Sequence, residues 1–334
     1  MRQHQAVFAN FICKFGGLNM ADRLREIVLP AFTDDTLVRE ARGSSFHLLD
    51  VQLAPSIAGV ENEPVVTGRF VQDTTLRREQ VYDPASGKLI PDEASLATSP
   101  SAFFILFLKD HRLVYFAETR HAPTLASFQS TMQSFLTRKH RDHIEKIYKT
   151  TSPSNKSITK KALKEELPVP NLTVVQLTNS EDLNSFIDQF EKLQKIEIVV
   201  HQKNDEPVFS SLIQNLDELN DLTGAKTSKV ISSDNSGLDK EGTKEALRTT
   251  TDGANETIRL SGVDETGNRI AGENEDFSIT TIIEDTSGTT TQKADKIARE
   301  FLTLVAEGKI SRPDITAENV TRILEALRDD DQAQ

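Results

Sequence analysis

The stretch "AFFILFLKDHRLVYFAE" (102–118) constrains the fold more than any other. Residues 103–108 are apolar without a break and rich in aromatic and β-branched types. A short run without polar alternation predicts a central strand covered on both faces. Asp110 and His111 interrupt the run before "RLVYFA" resumes, so two strands folded about that pair are expected. Such a strand needs apolar cover on each side. After Pro123, which suits a first helical turn, one source of cover follows. Leu125, Phe128, Met132, Phe135, Leu136, Ile144, Ile147 and Tyr148 form a helical stripe that drifts around the axis. That helix should pack on the sheet and run past it.

The rest of residues 20–150 fits a mixed α and β unit. "ADRLREIVLPAF" sets Leu24, Ile27 and Val28 at helical spacing, and Pro30 is expected to end the helix. "FHLLDVQLA" (46–54) and "PVVTGRFVQD" (64–73) read as strands. With 334 residues there is chain enough for two cores. The Ser-, Thr-, Lys- and Pro-rich stretch "TTSPSNKSITKKALKEELPVP" has linker chemistry, which places a basic linker at 151–170 between two domains.

From 171 to 334 an acidic α+β domain is expected. "LTVVQL" (172–177), a helix capped by Ser180 and "IEIVV" (196–200) have the order of a βαβ unit. A helix carrying Phe209 to Leu222 stops near Gly224, and "TIRLSG" (257–262) with "FSITTIIE" (277–284) suggests a hairpin with a long loop. Two amphipathic helices, 294–305 and 320–327, close the chain. The fold class is therefore α+β: an N-terminal mixed sheet with a long helix, and a C-terminal small α/β sandwich of ferredoxin-like kind. "VYDPASGKLI" (81–90) and "GVDETGNRI" (262–270) each set Asp a few residues before Gly, the same hairpin turn used twice.

"KFGGLNM" (14–20) bears on where the protein starts. Two glycine codons read G-G-N-G-G, and with A at the wobble position they spell a ribosome-binding sequence just ahead of Met20. The run "AVFANFIC" is short and broken by Asn10, and Lys14 follows it in place of a small-residue cleavage site. Residues 1–19 are thus expected to be a translated leader of a bacterial gene. Cys13, the only cysteine, would be lost with them, which fits a cytoplasmic protein. No window approaches the ~20 apolar residues that span a bilayer, so no membrane insertion is expected.

The candidate chemistry is thin. "DETGNRIAGENED" (264–276) places Arg269 where a calcium loop needs its pivotal glycine, so it reads as a hairpin loop. "GAKTS" (224–228) and "ASGKL" (85–89) lack the first glycine of a phosphate loop. His140 and His143 lie one turn apart without a third ligand and read as solvated. No metal or cofactor site is expected. His201 and Lys203, just after a strand, resemble the first half of the His-x-Lys signature of phospholipase-D-like phosphodiesterases. That resemblance implies a histidine nucleophile and a lysine on the phosphate oxygens. The Asp that completes the signature is replaced by Val208, and no second copy of the motif occurs.

Charge is the clearest pattern. The overall net charge is −12, yet residues 131–164 hold nine cations against Asp142 and Glu145. The cations are Arg138, Lys139, Arg141, Lys146, Lys149, Lys156, Lys160, Lys161 and Lys164. From residue 165 onward 17 cations meet 34 anions. Pairs at i,i+4 account for part of the helix, but not for the lysines beyond it. Those lysines suit docking on an acidic surface of this chain or of a protein partner, or contacts to a nucleic-acid backbone. The functional expectation is a binding protein acting through 138–164 by protein–protein or nucleic-acid backbone contacts. A place in defence against phage or mobile elements is a further expectation that no residue carries. The alternative is a divergent hydrolase or phosphodiesterase using His201 and Lys203.

Overall fold

The computed structural model describes residues 4–152, 158–203, 211–248, 255–283, 288–313 and 317–331. Two antiparallel sheets organise them. The larger is built on β1 (His4–Phe15), which turns into the short β2 (Leu18–Asn19) and whose other partners set the topology. Residues 6–10 of β1 pair with β8 (Arg112–Ala117). Residues 4–7 pair with β14 (Thr280–Ile283), and residues 9–14 with β9 (Asn171–Gln176). A strand has two edges, so β14 and β9 lie end to end along the edge opposite β8. Beyond β8 come β7 (Ser101–Phe107), β5 (Val65–Asp83), β4 (Ser44–Ala54) and β3 (Arg39–Ala41).

The run at 103–108 forms β7 and its exit, fully buried as expected. Ala102, Phe104 and Leu106 face one core, with Phe128, Met132 and Phe135. Phe103, Ile105 and Phe107 face another, with Ile297, Ala298 and Phe301. The turn between β7 and β8 holds His111 at φ 58°, a left-handed position. The first core is covered by α2 (Leu125–Thr151), α1 (Leu29–Thr33) and α8 (Ala317–Asp331), the second by α7 (Thr290–Ala306). Pro30 does not end a helix. A 3₁₀ turn (Met20–Arg23) and a π turn (Leu24–Val28) precede α1, and Pro30 sits in the first turn of α1, where a missing N–H costs nothing.

Most of the expected leader, residues 4–15, forms β1. Phe8, Phe11, Cys13 and Phe15 are at most 1% exposed, and the strand is paired along both edges. Burial pushes the Cys13 thiol up to about 12.

Strands and helices are shared across the boundary expected at 151–170. Lys160–Glu166 is a helix, α3, and β9, β14, α7 and α8 all return to the larger sheet or its cores. The run 172–200 is not a βαβ unit. The edge of β1 at 9–14 would otherwise leave backbone groups unpaired, and β9 satisfies them there.

Between β9 and β14 the chain builds the second sheet. Its order is β11 (Thr227–Ser233), β10 (Lys192–His201), β12 (Glu256–Val263), β13 (Arg269–Glu273). It is antiparallel throughout, and from β10 its elements run β-α-β-α-β-β, not the β-α-β-β-α-β of a ferredoxin-like sandwich. α4 (Ser180–Asp188), α5 (Ser211–Thr223) and α6 (Lys240–Arg248) contribute to its core of Leu183, Ile187, Phe190, Ile213, Leu247 and Ile258. Asn179, one residue before the expected Ser180, caps α4 by accepting from Asp182 N. β12 finds its hairpin partner in β13 rather than in 277–284. Asn10 Nδ2 donates to Asn255 Oδ1 at 2.9 Å, joining the centre of the larger sheet to the start of β12.

Both expected hairpin turns form. In one, Gly87 N donates to Asp83 O at 2.9 Å; in the other, Gly267 N donates to Asp264 O at 3.0 Å. The first turn closes a long arm, because β5 runs on past its sheet to pair with β6 (Lys88–Thr98). Among the described residues, no helix is long and apolar enough to cross a membrane.

Candidate interaction surface

α2 positions most of the cations. Thr124 caps it, accepting from Ser127 N, and Pro123 lies one residue before the cap rather than in the first turn. Phe128, Met132, Phe135, Leu136, His140 and Ile144 recur at i+3 and i+4 and turn inward. Arg138, Arg141, Glu145 and Lys149 recur on another stripe. α3 then folds back against the end of α2. His140, expected to be solvated, is 2% exposed, and its Nε2 lies 2.8 Å from Leu167 O. This bond and the buried Leu167 tie the supposed linker to the first core. Burial also holds His143 below the usual imidazole range, with Arg23 and Lys146 nearby.

The cations are not equivalent once folded. Lys139 is bonded to Asp34, which with Thr36 holds that carboxyl at about 2. Lys160 lies 2.5 Å from Glu145 and 5.1 Å over the Tyr148 ring. Arg138 donates to Val38 O at 3.0 Å. Arg141 is 3.7 Å from Asp142, Lys149 4.0 Å from Glu145 and Lys161 3.9 Å from Glu165. These three pairs are exposed, so they contribute little and release their cations readily. Lys146 and Lys164 are exposed, and their side chains have no hydrogen bond or ion pair among the described residues. Lys156 lies outside the described residues. Among the described residues, five of these cations are thus left open: Arg141, Lys146, Lys149, Lys161 and Lys164.

His201 and Lys203 are each engaged within the unit built on the second sheet. His201 ends β10, and its Nε2 lies 2.9 Å from the Thr257 hydroxyl. Burial, with Arg259 and Lys229 nearby, pushes the imidazole down to about 4, so it is neutral at pH 7. A neutral ring suits a nucleophile. Lys203, however, lies 3.2 Å from Asp217, a carboxylate on α5 with only 9% of its side chain exposed. A lysine committed to a carboxylate is poorly placed to neutralise a phosphate. No group of metal-ligating side chains occurs among the described residues.

The Asp264 loop is the hairpin turn expected. Its carboxylate accepts from Thr266 N and Asn268 N at 2.8 and 2.9 Å. Two features escaped the sequence reading: the exposed arm of β5 and β6, and β11 with α6. The arm could have been found by extending the strand at 64–73 through to the turn at Asp83.

No protein-family model matches the sequence, and no curated protein is similar to it.

Proposed function

We propose that the protein works by binding, through the cations at the end of α2 and on α3, a partner that presents closely spaced negative charge. The observation that carries this reading is that Lys146 and Lys164 are exposed and unpaired beside three weakly held cations. Five open cations on one joint attract a polyanion and set an ionic-strength dependence, without demanding a particular sequence. Tyr148 is the aromatic residue among them, and Lys160 already covers its ring, so base stacking adds little. The partner is therefore a nucleic-acid backbone or an acidic protein surface.

A competition experiment tests it. The protein is bound to labelled single-stranded DNA at low salt and challenged with polyglutamate. Displacement by polyglutamate at matched charge marks an acidic protein as an adequate partner, and resistance marks the phosphate backbone. A protein that binds neither polymer contradicts the proposal.

A further inference from the structure

The arm formed by β5 and β6 raises a separate question of what covers it. Residues 65–73 of β5 have β4 on one edge and, over 65–71, β7 on the other. From Thr74 to Asp83 the strand pairs only with β6. β6 follows β7 along the same side, since Gln72 N donates to Pro100 O in the link between them. The edge of β5 that β4 leaves at Asp73 is therefore open from Thr75 to Asp83 among the described residues. Two strands alone are marginal in water, and an open edge is a template for another strand.

The two outer edges of the arm differ. That of β6 carries Pro91, which lacks an N–H, and a register irregularity beside the acidic Asp92 and Glu93. Both features discourage strand addition. The edge of β5 has no proline, and at the irregularity it passes one residue, Glu79, where β6 passes two. The arm also has an unpartnered apolar face. Leu76 pairs with Leu96, and Tyr82 with Leu89; they are 44, 66, 59 and 61% exposed.

We propose that the arm of a second copy of this chain occupies this edge, with β5 against β5 in antiparallel pairing over residues 75–81, centred on Arg78. Under a twofold axis perpendicular to the sheet, directly opposed residues share a face, so their numbers share a parity. Centring on Arg78 then sets Arg77 against Glu79 of the second copy, twice. Arg77 and Glu79 are both exposed and have no ion pair among the described residues. Arg78 meets Arg78 of the second copy, but each is held by the Asp92 of its own chain at 2.5 Å. The four-stranded sheet that results gives the arm the strand number that a lone hairpin lacks.

The test is sedimentation equilibrium of the full chain and three variants, with circular dichroism to confirm that each is folded. The wild type is expected to form a dimer. Arg77→Glu and Glu79→Arg should each weaken it roughly tenfold or more, since each places like charges opposite one another twice. The double variant Arg77→Glu with Glu79→Arg should regain the dimer, because the pairs are restored with their signs exchanged. A wild type that stays monomeric overturns the proposal. So does a dimer indifferent to either single change, or one that the double variant does not restore.

Discussion

Arg312 and Glu63 meet across 249 residues of chain, with Nη2 2.7 Å from Oε1 and Nη1 3.2 Å from Oε2. Glu63 is 2% exposed, and the same guanidinium also bonds Asp110, which is 1% exposed. The pairs clamp the segment after α7 to the end of the larger sheet. Arg312→Met would leave two buried carboxylates short of their main counter-charge. The expected loss is about 3–5 kcal/mol of unfolding free energy, read from urea denaturation. A variant within 1 kcal/mol of the wild type would show that the clamp contributes little (roughly the value of a surface pair).

β1 makes a second prediction. A chain shortened to 20–334 loses the strand that β8, β9 and β14 pair with, and with it Phe11 and Phe15 of one core and Phe8 of the other. It should show no cooperative thermal transition. Retention of a sharp transition near that of the full chain would mean that β1 is dispensable.

His201 gives a pH dependence with a definite sign. Its folded value of about 4 lies below the ordinary 6.5, so the unfolded chain takes up the proton first as pH falls. The contribution is fully present above pH 6.5, declines between 6.5 and 4, and is flat below 4. The total is up to about 3 kcal/mol, from 1.36 kcal/mol per unit. His201→Gln should remove this part of the slope in denaturant midpoints across that window. An unchanged slope would mean that the ring is as free to protonate folded as unfolded.

Gly272 lies beneath Phe186, where an added Cβ would come within 2.3 Å of the ring. That ring also packs on Phe190 and Phe277, each centroid 5.6 Å away. Gly272→Ala must push it off both, at a cost of about 1–3 kcal/mol. Gly17→Ala, with nothing within 4 Å, serves as the neutral control. Equal chemical-denaturation midpoints for the two variants would contradict this account of the packing.

The particular elements divide by range. Residues 102–118 and 125–148 were legible because their apolar patterns are local: an unbroken run, and a stripe at helical spacing. The turns at Asp83–Gly87 and Asp264–Gly267 were legible through Asp and Gly chemistry. What failed was partner choice. β9 has a good strand composition, but nothing in "LTVVQL" says that it pairs with residues 9–14 rather than with "IEIVV". The same is true of β14 and of β12. β1 itself was obscured because a buried central strand and a short hydrophobic leader share one composition. At the candidate site, the cationic run was visible in the sequence. The partners of Lys139 and Lys160 and the burial of His140 were not, since each depends on tertiary contacts; the same holds for Lys203 and Asp217 near the second sheet.

The central claim is that open cations at the α2–α3 joint bind a polyanion. The salt dependence of affinity for labelled single-stranded DNA tests it most directly. The wild type is compared with a variant carrying Gln at Arg141, Lys146, Lys161 and Lys164. The account predicts a steep fall in affinity with salt for the wild type. In the variant, the log–log slope should be shallower by about 0.7 for each contact removed. Identical slopes and affinities for the two proteins would contradict it.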